Sequence, residues 1–347
     1  MQAKRTIGVL REVKNKWERR VAITPVEVKQ LVQKGIRVLV QPSKKRIFTD
    51  GEFEQAGAVL TQDLSPANTI FGVKEFPHES LIPNKSYVIF SHVIKAQKEN
   101  MPFLDACISK GIRLFDYETI RAEKANGGHR LVAFGKFAGI AGMIDFFRGL
   151  GERLLALGYQ TPFMGVSSSY MYPSVEKAKE AIIAMGNEIS RIGLPEDLTP
   201  FRFVFTGQGN VSQGALEIFK LLPHEFLPAG EMPSTPKRNI VYASIANLED
   251  MVTPLKPGPF VKQDYYNNPQ NYRPIFHEKV LPHMNVLVHC SYWDWRFPRL
   301  LTTEQLSGIE RKQRKQARRF FGVADITCDL EGAVEFLQKS STLSLPY

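Results

Sequence analysis

Three titratable residues stand at the ends of three successive apolar runs in the first third of the chain. Lys74 closes Phe71-Gly72-Val73-Lys74, His92 closes Val88-Ile89-Phe90-Ser91-His92, and Glu118 follows Asp116 by two residues. If these runs are strands of a parallel sheet, their carboxyl ends form the edge at which open α/β sheets bind ligands. A lysine, a histidine and a glutamate sharing one crevice tune one another toward neutral pKa values and can shuttle protons. Taken singly, each has an ordinary reading: a surface cation, a satisfied structural histidine, a helix-start carboxylate. Their joint placement is what points to a site. Arg19-Arg20, just ahead of a helix start at Thr24-Pro25, supplies guanidinium groups suited to carboxylates.

A second kind of chemistry is written around position 207. Phe201-Arg-Phe-Val-Phe-Thr-Gly207-Gln-Gly209-Asn210-Val211-Ser212-Gln-Gly214-Ala215 runs from an apolar strand through Gly-x-Gly into a helix, the context of a dinucleotide fingerprint. Gly207 permits a tight turn, Gly209 lets the backbone approach a pyrophosphate, and the helix N-terminus offers N–H groups and partial positive charge. The third position is Ser212, with Gly214 two residues later. About 20 residues beyond the first glycine, where an acid would grip the ribose of NAD, the chain reads Phe226-Leu-Pro-Ala-Gly-Glu231 with Lys237-Arg238 following. The lack of a strand-end acid and the nearby cations lean toward a 2′-phosphate, hence NADPH, with NADH left open.

The elements that must position these groups follow from the apolar pattern. Strands are expected at Thr6–Leu10, Arg37–Val40, Thr69–Val73, Tyr87–Phe90 and Ile112–Asp116, with helices at Pro25–Lys34, Asp50–Gly57 and about Pro102–Lys110 between them. Pro25 at the first turn is a good helix start. Such alternation implies α/β architecture with parallel sheets. A long helix rich in small residues begins near Phe134, and Val175–Ile192 is an amphipathic helix ending at Gly193. A helix is then expected at Ala215–Leu222, with further strands at Asn239–Ala243, Asn285–Val288 and Gly322–Thr327. The predicted organisation is two Rossmann-like lobes joined by long helices, with a substrate and cofactor cleft between them. A substrate-binding domain takes 1–135, a bridging helix 136–160, a dinucleotide-binding domain 161–330 and a short C-terminal segment 331–347.

Composition narrows the class. With 347 residues, 43% hydrophobic and 23% charged, the chain is globular and long enough for two cores. Its net charge of +10 suits an anionic substrate or a phosphate-bearing cofactor. The densest cation run, Arg311 to Arg319, reads as a solvated helix face; without stacking aromatics or a recognised module it does not argue for nucleic acid. Leu131–Leu150 carries Lys136, Asp145 and Arg148, which argues against a membrane span. Cys107, Cys290 and Cys328 form no disulfide framework, so a reducing intracellular compartment is expected, cytoplasm or mitochondrial matrix. His277, His283 and His289 recur at intervals of six, which matches no metal-ligand motif.

The segments Arg11–Pro25, Gly72–Glu75, Ser91–Gln97, Asp116–Glu118, Phe134–Ile144, Leu155–Phe163 and Phe203–Ala215 come in a familiar order. Together they resemble the lysine-ketoglutarate reductase part of α-aminoadipic semialdehyde synthase, within the wider alanine dehydrogenase and lysine-forming saccharopine dehydrogenase superfamily. The resemblance implies reductive condensation of L-lysine with 2-oxoglutarate, using NADPH, to give saccharopine. It further implies Lys74 and His92 as the acid/base pair, Glu75 and Glu118 tuning them, and Arg20 holding a substrate carboxylate. Asp325 would sit near the substrate amine, and Gly207, Gly209, Asn210, Val211 and Ser212 would carry the nucleotide. The chain departs from the family at Ile245-Ala-Asn247, where relatives tend to carry a Leu-Ser-Arg-like stretch, and it ends before a segment that the family's reductase region folds back onto its first lobe. Two other readings stay open: an alanine dehydrogenase-like enzyme, and an inactive homologue that acts by binding. Self-association stays open too.

Overall fold

The computed structural model describes residues 5–123, 128, 130–313 and 320–342. The chain divides into two compact units, Met1–Ala133 and Phe134–Tyr347.

The first unit contains β1 (Thr6–Val9), α1 (Pro25–Gln33), β2 (Arg37–Val40), α2 (Asp50–Gln55), β3 (Val59–Leu60), β4 (Thr69–Lys74), β5 (Ser86–Phe90), α3 (Met101–Ser109) and β6 (Arg113–Asp116). Its strands run parallel in the order β3-β2-β1-β4-β5-β6. Strand β2 explains why the runs look continuously apolar. Val38 and Val40 pack with Val28 and Phe53 on one face, while Leu39 packs with Ile70, Ile89 and Phe103 on the other. A parallel strand is buried on both sides. Helix α1 starts where Pro25 follows Thr24, and Glu27 reaches back to accept from the Thr24 backbone N–H at 3.1 Å. The chain visits β2 and β3 before returning to lay β4 on the other side of β1, so the ends of β1 and β4 form the topological switch point.

The second unit begins with α4 (Gly135–Ala156) and α5 (Val175–Ile192), then β7 (Arg202–Thr206), α6 (Asn210–Phe219), β8 (His224–Phe226), β9 (Val241–Ala246) and α7 (Leu248–Met251). It continues with β10 (Val252–Pro254), α8 (Lys262–Asn267), β11 (Tyr272–Pro274), α9 (Phe276–Lys279), β12 (Val286–His289), α10 (Thr303–Gln313) and β13 (Gly322–Asp325). Its main sheet, again parallel, has the order β13-β12-β7-β9-β8, and β10 and β11 form a separate antiparallel pair. All five residues of β7 are buried. Phe203 and Phe205 pack with Phe147, Phe163 and Phe219, whereas Val204 faces Phe276 and Leu287.

The small residues of α4 have a definite use. A Cβ on Gly139 would lie 2.0 Å from the Val211 carbonyl oxygen, and one on Gly214 would lie 2.0 Å from that of Lys136. Helices α4 and α6 therefore touch backbone to backbone inside the second unit. Helix α6 starts at Asn210, five residues before the expected Ala215, directly on the glycine loop. In the cation run, Arg311 to Gln313 belong to α10, while residues 314–319 and the terminal 343–347 lie outside the described residues.

Candidate functional site

Lys74, His92 and Glu118 meet at the carboxyl ends of β4, β5 and β6. Lys74 Nζ lies 2.9 Å from His92 Nε2, and His92 Nδ1 lies 3.1 Å from Glu118 Oε2. Glu118, 5% exposed, also accepts from Arg130 at 3.1 Å, and its main-chain N–H donates to Asp116 Oδ1 at 2.8 Å. Asp116 in turn accepts from the Ser91 hydroxyl and main-chain N–H, which ties the end of β6 to that of β5. His92 itself adopts a left-handed backbone, φ +58°, as β5 turns sharply into the next segment. Glu118 accepts only, so the shared proton belongs on Nδ1 and Nε2 is left as an acceptor toward Lys74. Burial pushes the Lys74 pKa below its ordinary value, and the nearby Arg20 guanidinium adds to this against the opposing pull of Glu75 and Glu18. A lysine so placed gives up its proton more readily than one in water.

Around this chain lies a second set of charges, most of which the strand-end argument passes over. Glu12 follows β1 and is 6% exposed; its carboxylate accepts from the main-chain N–H groups of Val73 at 2.7 Å and Lys74 at 3.0 Å. It pins the end of β4 across the switch point. Burial raises its pKa although both N–H bonds oppose the shift. Arg20 makes a forked pair with buried Glu18, Nε to Oε1 at 2.8 Å and NH2 to Oε2 at 2.7 Å, so its guanidinium is held in one orientation. Glu75 pairs with Lys14, while its Oε2 is buried with no hydrogen-bond partner. Burial is the largest single influence on Glu75 and works against its charge, but the bond from Lys14, the residue's own main-chain N–H and the charges of Lys14 and Lys74 together outweigh it, and its pKa falls below the ordinary value. Glu12, Lys14 and Arg130 carry the same signal as their neighbours, charge beside a strand end, but they reach the site from loops whose course spacing does not predict.

In the second unit the glycine loop is as the fingerprint requires. Gly207 has φ +80°, and a Cβ there would come within 2.9 Å of Ser291 Oγ. Gly209 is the N-cap of α6, with no side chain capping the helix, and a Cβ added to it would meet nothing within 4 Å. Open space at Gly209 above an uncapped helix of 10 residues is a cradle into which a pyrophosphate fits. Asn210 is exposed and Val211 partly so. Ser212 is fully buried and its hydroxyl has no partner. The tight third position of the fingerprint falls to Gly214, at the α4 contact.

The strand order corrects the expected ribose end of the site, which spacing places after Phe226 with Lys237 and Arg238 as nearby cations. Strand β8 is the sheet edge, and the strand beside β7 is β9. Lys237 and Arg238 precede β9, where Arg238 O accepts from the Leu194 N–H at 2.7 Å, at the sheet edge opposite the glycine loop. The residue at the carboxyl end of β9 is Asn247, whose Oδ1 accepts from Gln208 of the glycine loop at 2.6 Å. An amide stands where a carboxylate or cation was sought.

Asp325 ends β13 in register with His289 of β12. Its Oδ1 accepts from the main-chain N–H groups of Thr327 and Cys328 at 3.0 and 3.2 Å, while Oδ2 is buried without a partner. His289, 2% exposed, has Nδ1 2.9 Å from Thr206 Oγ1, and its pKa is lowered by burial against the pull of Asp325. The Cys290 thiol is pushed up to about 12 by burial, with Asp325 adding to it. No described helix is long and apolar enough to cross a membrane.

Comparison with known proteins shows what the chain is similar to. Residues 8–141 match the family model of the alanine dehydrogenase/PNT N-terminal domain. The chain is 44% identical, over 98% of its length, to 33% of the alpha-aminoadipic semialdehyde synthase of Arabidopsis thaliana, so it spans about a third of that relative. It is 28% identical, over 89% of its length, to 72% of the saccharopine dehydrogenase [NAD(+), L-lysine-forming] of Neurospora crassa. Among solved structures an L-alanine dehydrogenase shares the fold, with a TM-score of 0.55 at 17% identity, covering 97% of this chain and 78% of that one. The chain is thus a homologue of one part of the alpha-aminoadipic semialdehyde synthases, built on the alanine dehydrogenase type of α/β fold.

Proposed function

We propose that this chain joins L-lysine to 2-oxoglutarate by reductive condensation, giving saccharopine with NADPH as reductant. Substrate chemistry is assigned to the first unit and nucleotide binding to the second. The observation that carries the reading is the continuous Lys74–His92–Glu118 chain, with the Lys74 pKa lowered by burial and by Arg20. The choice of NADPH rests on the sequence resemblance alone, since Lys237 and Arg238 no longer speak for it.

The reaction makes three demands on the protein. The ε-ammonium of the substrate must lose a proton before it can attack the keto carbon, and neutral Lys74 is the group suited to take it. The hydroxyl of the resulting carbinolamine must leave as water, and His92 can deliver the proton because its Nε2 faces Lys74 while Glu118 steadies the imidazolium through Nδ1. The carboxylates of 2-oxoglutarate need an oriented cation, and Arg20, held by Glu18, is the proposed ligand. Asp325, with a carboxylate oxygen lacking a partner, is proposed to face the substrate amine. Gly207, Gly209 and the first turn of α6, Asn210 to Ser212, would hold the pyrophosphate. When bound, the dinucleotide supplies the hydride that reduces the imine.

The test is NADPH consumption by the purified protein given lysine and 2-oxoglutarate. Turnover with this pair and none with ammonia and pyruvate is expected. No turnover from folded protein would reject the reading, and preference for ammonia and pyruvate would replace it with an alanine dehydrogenase-like one.

A further inference from the structure

The segment that follows β12 carries features that neither the glycine fingerprint nor the proton relay uses. It reads Ser291-Tyr292-Trp293-Asp294-Trp295-Arg296-Phe297. Tyr292 is 78% and Trp295 84% exposed, whereas Trp293 and Phe297 pack into the core under the sheet. Trp293 Nε1 donates to the Pro298 carbonyl at 3.2 Å, and the Phe297 ring meets Tyr265 at 5.3 Å between centroids. Asp294 ties the loop together. It accepts from the Tyr292 hydroxyl at 2.9 Å and from the Arg296 Nε and NH2 at 2.9 and 2.7 Å. Two large rings are thus held out into water on a loop fixed at two core anchors and clamped through one carboxylate. Leaving that much aromatic surface wet is unfavourable, and fixing it there suits a planar ligand.

The position of the loop says which ligand. Strands β9 and β12 flank β7 on opposite sides, so the ends of β7 and β12 are this sheet's switch point. The glycine loop leans to the β9 side through Gln208 and Asn247, and touches the β12 side where Gly207 packs on Ser291. A dinucleotide whose pyrophosphate rests on α6 extends one nucleoside over each flank. We infer that Tyr292 and Trp295 form a platform for the nicotinamide half of the dinucleotide, the adenosine half lying toward Asn247. This rests on the dinucleotide reading of the glycine loop. The nicotinamide ring is close to flat in both redox states, and cationic when oxidised, so it presents a face that an indole and a phenol can stack against.

Calorimetric titration of the wild type, Trp295→Ala, Tyr292→Ala and Trp295→Phe with NADPH and with ADP-ribose phosphate, which lacks nicotinamide, tests this. Both alanine variants should bind NADPH roughly 5- to 10-fold more weakly, in keeping with the worth of an aromatic contact. ADP-ribose phosphate affinity should be unchanged, and Trp295→Phe should recover most of the loss. Unchanged NADPH affinity in both alanine variants overturns the inference, as does equal loss for the two ligands, which would give the loop to the adenosine half. If neither ligand binds the folded wild type, the dinucleotide reading itself fails and this inference goes with it.

Discussion

At the carboxyl ends of the first unit's strands stand Glu12 after β1, Lys74 on β4, His92 after β5 and Glu118 after β6. At the matching ends of the second unit's strands stand Gly207 and Gly209 after β7, Asn247 after β9 and Ser291 after β12. Both sheets are parallel and each has a switch point. The first fills that edge with ionisable side chains locked by hydrogen bonds; the second keeps His289 and Asp325 at the ends of β12 and β13 but clears the end of β7 of side chains, so that backbone N–H groups are presented there. Proton transfer needs groups that titrate, whereas gripping a pyrophosphate needs close approach and a fixed helix end. Substitutions along the Lys74–His92–Glu118 chain should therefore change rates and pH profiles, and those at the glycine loop and its helix should change folding or affinity.

Removing the relay is the sharpest way to break this contrast. His92→Gln should lower kcat/KM about 10²- to 10⁴-fold, the usual worth of a general acid or base, with the melting temperature nearly unchanged. A variant that unfolds would make His92 a structural residue. Next in size is Gly214→Ala, whose methyl would meet the Lys136 carbonyl oxygen at 2.0 Å. It should cost about 3 kcal/mol of stability, at the upper end for overpacking, and denaturant unfolding reads this directly. Gly209→Ala sharpens the comparison, because its φ of −77° and open surroundings tolerate a methyl. Stability should hold while NADPH affinity drops about tenfold, since even a single methyl blocks close approach of the pyrophosphate.

The smallest expected effect is on pH dependence. Lys74 must be neutral to accept a proton, so turnover falls as pH drops through its pKa. That pKa lies below 10.5 because burial and then Arg20 disfavour the charged form. Arg20→Gln takes away a neighbouring positive charge and leaves Glu18 to favour the ammonium, so the acid limb of kcat/KM should move to higher pH. A limb that stays in place would mean that Lys74 does not set it.

Much of this was legible because parallel strands are buried on both faces: Thr6–Val9 and Arg202–Thr206 read as continuous apolar runs, and the residues at their ends announce themselves. Short edge strands did not. β3 has two residues and β8 three, too few for any period to register. The order of strands is not legible either. Counting about 20 residues on from Gly207 lands beside the edge strand β8 and makes Lys237 and Arg238 look like phosphate ligands, whereas they lie before β9, at the end of the sheet away from the glycine loop. Gly214 was visible as a glycine, but its reason, the approach of α4, requires knowing which helix packs where. Lys74, His92 and Glu118 converge as expected; Glu12 and Arg130 join them through turns and loops that carry no periodic signal.

The division of labour is tested most directly by Lys74→Met, a substitution of similar length that cannot hold a proton, measured for turnover with lysine and 2-oxoglutarate and for NADPH affinity on the same preparation. The account predicts turnover reduced by about 10³-fold with the dissociation constant for NADPH unchanged. Turnover within a few-fold of the wild type would contradict it, and so would loss of nucleotide binding in parallel with loss of rate.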